Sequence, residues 1–534
     1  MKIPVVWLSY KEDIPCFGYW DMAMLANYFN GRLWKTVNGY EFDHRTGFEG
    51  IEDGAVVVFP ARAQVDQIDR LNADIASLKW VVLILSGDEE GLFPVDKIEH
   101  PNMELWVMSA KPGTRGNPLP NGYTPQTKLL DGMEYGKTQD FYFAGQVTHS
   151  RRELCASKLK ELEGGTLIET EGFTQGVDHE TYMQGLASAK IAPCPSGPVT
   201  PDTFRLYEAL EAGCIPIVDS KTPGAEYPDY WTHMFGEEPP FPIIRCDYDS
   251  LPAYIGELKE KYYANANKVG TWWIKFKREL AYRLDGSIER ASGIKSENEQ
   301  VTILMPSSPL SIHPSTAIIE ETISTVRYHL PDAEIIITFD RPDGADEKYD
   351  EYIARCLWLC NHKWRNVLPL VFTEHMHQAN MAREALPLVK TPVLLYVEHD
   401  APIVTDCEIP VDALVGVVLS GEANVIRLHH EACILPDHEH LMLDTESQMV
   451  NGVPLKRTIQ WSQRPHFAST AFYRMMIERY FASKEKAFIE DEMHGIVLSA
   501  YQHEGVMGWN LFRLYFYAPD GNMKRSYHLD GRKS

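Results

Sequence analysis

Residues 392–402 read Pro-Val-Leu-Leu-Tyr-Val-Glu-His-Asp-Ala-Pro, and this stretch decides how the C-terminal part of the chain is understood. The apolar run Pro392–Val397 has the composition of a buried strand, and it ends directly in Glu398-His399-Asp400. An acidic-x-acidic triplet at a strand's end presents hard oxygen ligands suited to Mg²⁺ or Mn²⁺, which in turn grip a diphosphate. Two carboxylates at a strand end can equally be a solvated edge, so the surroundings decide. Upstream, a strand starts abruptly at Val301–Met305, and a helix over Ser315–His329 carries Ile318, Ile319, Ile323 and Val326 on one face. Strand Glu334–Phe339 closes on Asp340; a helix over 346–360, strand Asn366–Phe372 and a helix over Gln378–Val389, bearing Arg383, lead into the triplet. Downstream, Phe488-Ile489-Glu490-Asp491-Glu492 is a carboxylate cluster opening a further helix.

The N-terminal part alternates short apolar runs with amphipathic stretches, the pattern of α/β layers. Strands are expected at Ile3–Leu8, Ala55–Phe59, Trp80–Leu85 and Glu104–Met108. After a Pro/Gly-rich loop over 111–123, a second set is expected at Asp140–Phe143, Thr166–Ile168, Ile191–Ala192, Ile215–Val218 and Ile243–Cys246. Two Rossmann-like halves, 1–130 and 131–285, fit this order. The polar, aperiodic stretch 286–300 has the composition of a linker, and 301–534 forms a third α/β unit. The helix carrying Trp272-Trp273-Ile274-Lys275-Phe276-Lys277-Arg278 is expected to pack back onto the first half rather than to stack bases.

Asp131–Thr138 comes close to the phosphate-loop pattern GxxxxGK[ST], but Asp131 stands at the first glycine position and a strand, not a helix, follows. The amides needed to cradle phosphate would not converge there, and an NTPase is rejected. A better anion signal follows it. Phe141-Tyr142-Phe143-Ala144-Gly145 precedes Arg151-Arg152; Ala192-Pro193-Cys194-Pro195-Ser196-Gly197 precedes Thr203-Phe204-Arg205-Leu206-Tyr207-Glu208 and then Gly213-Cys214-Ile215-Pro216. A strand ending in a glycine turn, arginines on the next helix and a loop feeding a second helix N-terminus together make an anion site. Glu208, three residues after Arg205, shares its helical face and is placed to accept hydrogen bonds from ribose hydroxyls.

Across 140–220, and more weakly across 1–285, these motifs resemble the donor half of exostosin-type GT-B glycosyltransferases, although Ser196 stands where the family often has arginine. The resemblance implies Arg152, Gly197, Thr203, Arg205 and Glu208 as donor-binding residues, with Asp13, Gly18, Trp20 and Asp21 facing the cleft from the acceptor half. Most of 300–510 resembles the family-2 type GT-A glycosyltransferases. There the likeness implies Asp340 as reader of the nucleotide base, Arg383 and Glu398 at the donor, Glu398 and Asp400 at a metal, and Asp491, with Glu490, deprotonating the acceptor. In several GT-A families a tail histidine completes the metal shell, which would be His528 of Lys524-Arg525-Ser526-Tyr527-His528; the other reading of that segment is a frayed tail.

The chain is therefore expected to be an α/β, two-module glycosyltransferase. It would use nucleotide-sugar donors and a glycan, glycoconjugate or other hydroxyl acceptor, with Mn²⁺ or Mg²⁺ in an inverting GT-A module. Three other readings stay beside it: one working module with a degenerate partner, a phage-type transferase acting on modified DNA or virion protein, and a carbohydrate-binding scaffold. With 51 Lys and Arg against 75 Asp and Glu, the formal charge of −24 repels phosphate backbones and excludes a general nucleic-acid coat, while leaving room for a local basic groove. Nine scattered cysteines without a paired CxxC set read as reduced thiols of a cytoplasmic protein. The first residues read as a strand rather than a signal peptide, and the longest apolar runs fall short of the roughly 20 residues a membrane span requires.

Overall fold

The computed structural model describes residues 2–11, 23–34, 39–51, 53–172, 176–295, 299–431, 433–482, 486–519, 521 and 524–529. The chain is mixed α/β and divides into two compact units: Met1–Glu297 with Leu357–Arg365, and Asn298–Cys356 with Asn366–Ser534. No helix among the described residues is long and apolar enough to cross a membrane, and the described cysteines are free thiols.

The first unit holds two parallel sheets. Strands β1 (Ile3–Leu8), β2 (Tyr40–Arg45), β3 (Gly54–Pro60), β4 (Trp80–Ser86), β5 (Met103–Met108) and β6 (Asn117–Leu119) lie in the order β2-β1-β3-β4-β5-β6. Strands β7 (Gln139–Gln146), β8 (Thr166–Thr170), β9 (Ala189–Cys194), β10 (Ile215–Asp219) and β11 (Ile243–Ile244) lie in the order β11-β10-β9-β7-β8. Every residue of β3 and β4 is buried, as expected of parallel strands covered on both faces. Val57, Phe59, Leu83 and Leu85 pack with Leu71 and Ile75 from the helix Ile68–Ile75. In the second sheet Phe141, Phe143, Ile191 and Ile217 pack against Cys155, Leu159, Leu251 and Ile255.

A buried ion pair braces the second sheet. Arg151 donates from Nε to Asp219 Oδ2 at 2.7 Å and from Nη2 to Oδ1 at 2.9 Å, and Tyr248 Oη donates to Oδ2 at 2.9 Å. Of the adjacent arginines at the start of helix Ser150–Leu159, Arg151 is thus structural. The phosphate-loop lookalike has no phosphate geometry: Lys137 is half-buried, donates to the Ala212 carbonyl at 2.7 Å, and has its pKa lowered by desolvation.

The stretch read as a linker from residue 286 is helical as far as Ser292, the end of one helix running from Tyr262. Its surface there is polar because the partners are polar. Ser287 accepts from Trp106 Nε1 at 3.1 Å, Arg290 donates to both Glu104 oxygens at 2.9 and 2.8 Å, and Asp285 accepts from Tyr28 at 2.7 Å. Gly293, at φ 69°, ends the helix. The aromatic residues of this helix are buried: Trp272 and Phe276 pack edge-on against Phe235, itself stacked on Trp231.

The second unit is built on β12 (Val301–Ser307), β13 (Glu334–Phe339), β14 (Val367–Val371), β15 (Val393–Tyr396), β16 (Val425–Arg427), β17 (Gln448–Val450), β18 (Val453–Arg457), β19 (His466–Ser469) and β20 (Leu514–Tyr517). The order is β14-β13-β12-β15-β19-β16-β20-β18-β17. The first four are parallel, whereas β19 runs antiparallel to both β15 and β16. Strands β16 to β20 are three to five residues long, too short to show a period in the sequence. At the junction of the two parts, Tyr396 pairs with His466 and their rings stack at 5.1 Å.

Two stability predictions follow from these buried groups. Asp219→Ala leaves the Arg151 charge buried and unpaired, and should destabilise the first unit by about 3–5 kcal/mol in denaturant titration. Burial pushes the His466 imidazole down to about 4. Its folded form therefore resists protonation that the unfolded chain accepts near pH 6.5. Stability should be intact above that pH and fall as pH drops from about 6.5 toward 4, by up to about 3 kcal/mol from this residue. His466→Gln should flatten that part of the stability profile.

Candidate functional site

In an open parallel sheet, ligands sit outside the carboxyl ends of the strands where the winding reverses. In β11-β10-β9-β7-β8 that point lies between β7 and β9, and a cavity of about 350 Å³ opens there. It is lined by Gly145 and Gln146 from the end of β7 together with Arg152, Thr203, Arg205 and Glu208. Sequence reading named the last four; Gly197 lies in the loop before helix Phe204–Glu211, outside the lining.

Arg205 Nη2 donates to the Ala144 carbonyl at 2.8 Å, and its guanidinium lies 4.5 Å over the Phe143 ring. A side chain at Gly145 would collide with that guanidinium, which is why the strand ends in glycine. Arg152 reaches the Gln146 and Ser196 carbonyls only at 3.3 and 3.4 Å. Among the described residues neither arginine is ion-paired. Burial, followed by the like charge of Arg205, holds the Arg152 pKa down to about 10. Both guanidiniums are half-buried, with Glu208 acting on Arg205 and Glu89 on Arg152 through space rather than through an ion pair, so the cavity wall keeps two cations within reach of an anion. Glu208 has a different setting: Thr124 Oγ1 donates to Oε1 at 2.6 Å, Tyr182 Oη donates to Oε2 at 2.9 Å, and burial raises its pKa. Nothing in the sequence marked Thr124 or Tyr182 as its partners. Asp13, Gly18, Trp20 and Asp21 lie outside the described residues.

In the second unit the reversal falls between β12 and β15, and the acidic triplet occupies it, with the His399 amide donating to the Pro306 carbonyl at 3.1 Å. The triplet forms a turn closed by the Ala401 amide donating to the Glu398 carbonyl at 3.0 Å, in which His399 is buried while Glu398 and Asp400 are half-buried. Gln378 Nε2 donates to Glu398 Oε1 at 2.8 Å, and its own Oε1 accepts from the Ile489 amide at 3.3 Å. That bridge brings the start of helix Ile489–Glu504 to the triplet. Burial, then Asp400 and Glu490, push the Glu398 carboxyl up to about 8.

Glu490 Oε2 accepts from the Gln463 amide at 3.1 Å. Asp491 is exposed and lines a shallow hollow along its own helix with Glu492, Ser499 and His503. Consecutive helical residues point about 100° apart, so the two acids cannot both face the triplet.

Residues 524–529 are held against the triplet. Ser526 bridges to Ile403, the Tyr527 amide donates to the Pro402 carbonyl at 3.0 Å and the Leu529 amide to the Asp400 carbonyl at 2.7 Å. This places His528 Nε2 3.4 Å from Asp400 Oδ2.

Asp340 accepts from the amides of Met376 at 2.7 Å and His377 at 3.2 Å, with His375 Nε2 at 3.4 Å. It holds His377 at φ 58°, a backbone region that non-glycine residues seldom occupy. Arg383 donates to the Phe481 carbonyl at 2.6 Å and to Asn380, away from the acidic groups.

Among the described residues no group of three or more His, Cys, Asp and Glu side chains is gathered to hold a metal. Asp400 and His528 nevertheless form a carboxylate–imidazole pair beside Glu398 and Glu490. Glu398 feels the like charges of Asp400 and Glu490, opposed by Arg464, and Arg427 lies within electrostatic range of Glu490.

No protein-family model and no curated protein matches the chain. Among solved structures it is similar to S. aureus TarS 1-349, at 13% identity and a TM-score of 0.29, covering 43% of this chain and 60% of that one. It is also similar to the mannosyltransferase PcManGT from Pyrobaculum calidifontis in complex with GDP-Man and Mn²⁺, at 13% identity and a TM-score of 0.27, covering 42% and 56%. A third likeness is to a UDP-glucose pyrophosphorylase complexed with UDP-glucose, at 9% identity and a TM-score of 0.26, covering 42% and 92%. The chain thus spans about 60% of the length of TarS 1-349. At these scores the likenesses carry no functional argument, and the side chains must supply it.

Gly145→Ala should dislodge Arg205 and weaken binding of inorganic pyrophosphate roughly tenfold by isothermal titration. A Kd unchanged from the parent would mean that Arg205 does not shape that cavity.

Proposed function

We propose that this protein is a glycosyltransferase that uses nucleotide-sugar donors. The observation that carries the reading is the convergence of Glu398, Asp400, Glu490 and His528 at the winding reversal of the second unit. In this reading Glu490, fixed by the Gln463 amide, takes the proton of an acceptor hydroxyl. The hydroxyl oxygen attacks the anomeric carbon from the side opposite the diphosphate, and the configuration inverts. Asp400 and His528, with Glu398 held by Gln378 beside them, would hold a divalent cation. When bound, the cation supplies charge neutralisation for the departing diphosphate. The base is assigned to Glu490 rather than Asp491 because Glu490 is the member of the pair that faces the acidic cluster.

A second donor site is supported by a separate observation, the two unpaired guanidiniums of Arg152 and Arg205 in the first-unit cavity. They suit the diphosphate of a nucleotide-sugar without a metal. On this reading the first unit is a GT-B-like module, the second a GT-A-like module and the protein is bifunctional. Acceptors are glycans, glycoconjugates or other hydroxyl compounds.

The test is nucleotide release from UDP-, GDP-, TDP- and CMP-sugars, with and without Mn²⁺. Glu490→Gln should lower the metal-dependent activity by about 100-fold or more, while Asp491→Asn stays within a few-fold of the parent. The reverse result would return the base to Asp491. Arg205→Ala should abolish only a metal-independent activity. Failure to bind or turn over any donor would favour a carbohydrate-binding scaffold.

A further inference from the structure

We propose that Glu89 is the general base of the first unit, the group that takes the proton of the acceptor hydroxyl; the assignment rests on the reading of that unit as a sugar transferase. After β4 the chain runs Gly87-Asp88-Glu89-Glu90-Gly91, three carboxylates between glycines at φ 67° and 68°. Two of the three are committed to the loop. Asp88 accepts from the amides of Leu92 at 2.9 Å and Phe93 at 2.8 Å. Glu90 pairs with Arg62 at 2.6 Å, and its carbonyl accepts from Lys111 Nζ at 3.0 Å. The loop is thereby pinned from both sides of Glu89.

Glu89 itself is half-buried and makes a single hydrogen bond, accepting at Oε1 from Asn121 Nδ2 at 3.2 Å; Oε2 has no donor among the described residues. A carboxylate oriented through one oxygen and open at the other is what a base requires. The same Asn121 gives its amide to Asp202 Oδ2 at 3.0 Å, and the next residue, Thr203, lines the arginine cavity. From the cavity side Arg152 is in electrostatic range of Glu89. The carboxylate therefore belongs to the first sheet and the anion-binding guanidiniums to the second.

The step balances. The acceptor proton passes to Glu89 Oε2, the acceptor oxygen bonds to the anomeric carbon, and the bond from that carbon to the phosphate oxygen breaks. Its electron pair stays on the diphosphate beside Arg152 and Arg205. Burial raises the proton affinity of Glu89, with the Asn121 hydrogen bond and then Arg62 and Arg152 opposing the rise and Glu90 adding to it. Such a shift favours proton abstraction near neutral pH.

The experiment uses the full-length protein carrying Glu490→Gln, so that remaining nucleotide release from the UDP-, GDP-, TDP- and CMP-sugar panel reports the first unit. Adding Glu89→Gln should lower kcat about 100-fold or more while the Kd for inorganic pyrophosphate stays within about twofold. Glu89→Asp should move the acid limb of the pH–rate profile, and formate should restore part of the activity of Glu89→Ala. Retention of kcat within about tenfold in Glu89→Gln overturns the assignment. So does a kcat loss accompanied by weaker pyrophosphate binding and no rescue by formate, the signature of a structural acid. Arg205-dependent pyrophosphate binding without release from any donor makes the unit a binding module and overturns the base. Absence of pyrophosphate binding in the parent overturns the reading of the unit itself, and the assignment with it.

Discussion

Parallel strands covered on both faces leave a polar place to use at the edge where their carboxyl ends emerge, and several carboxylates of this protein lie there. Asp219 closes β10, Asp340 follows β13, Glu398 and Asp400 follow β15, and Asp88 to Glu90 follow β4. At such an edge a carboxylate meets either backbone amides, a cation or another carboxylate, and the choice among these three sets its role. Asp88 and Asp340 meet amides and shape loops. Asp219 meets Arg151 and braces a sheet. Glu398 meets the like charges of Asp400 and Glu490, eased by Arg464, while His528 lies against Asp400 and Arg427 acts on Glu490.

The same logic, with the sign reversed, runs through the first-unit cavity. Arg151 and Arg152 are neighbours on one helix, yet one is neutralised by Asp219 and the other is left beside Arg205. The unfavourable pairing persists because each arginine is held by carbonyl oxygens, from Ala144, Gln146 and Ser196, which orient a cation without discharging it.

Sequence patterning was most informative where the physics is one-dimensional. The apolar runs around Val57, Leu83, Ile336 and Leu395 read as buried strands, whereas Gly145, expected at a turn, lies within β7, where its missing side chain makes room for Arg205. It was least informative where long-range contacts decide. The tail segment reads as fraying, but main-chain bonds to Pro402 and Asp400 fix it and deliver His528 to the triplet. The stretch 286–292 reads as a linker because its partners are Glu104 and Trp106, nearly two hundred residues earlier in the chain, rather than a hydrophobic groove.

By itself the sequence determined the α/β class, most of the parallel strands and the residues from which both candidate sites are made, because strand burial and the chemistry of Arg, Asp and Glu are local properties. Only the tertiary structure decided how differently two adjacent residues are placed. Glu490 and Asp491, Arg151 and Arg152, and Glu89 and its neighbours are indistinguishable in charge along the chain. They are separated by the direction in which a helix or loop points them, and that direction is set by contacts such as Gln378 to Glu398 and Asn121 to Asp202, which no local pattern encodes.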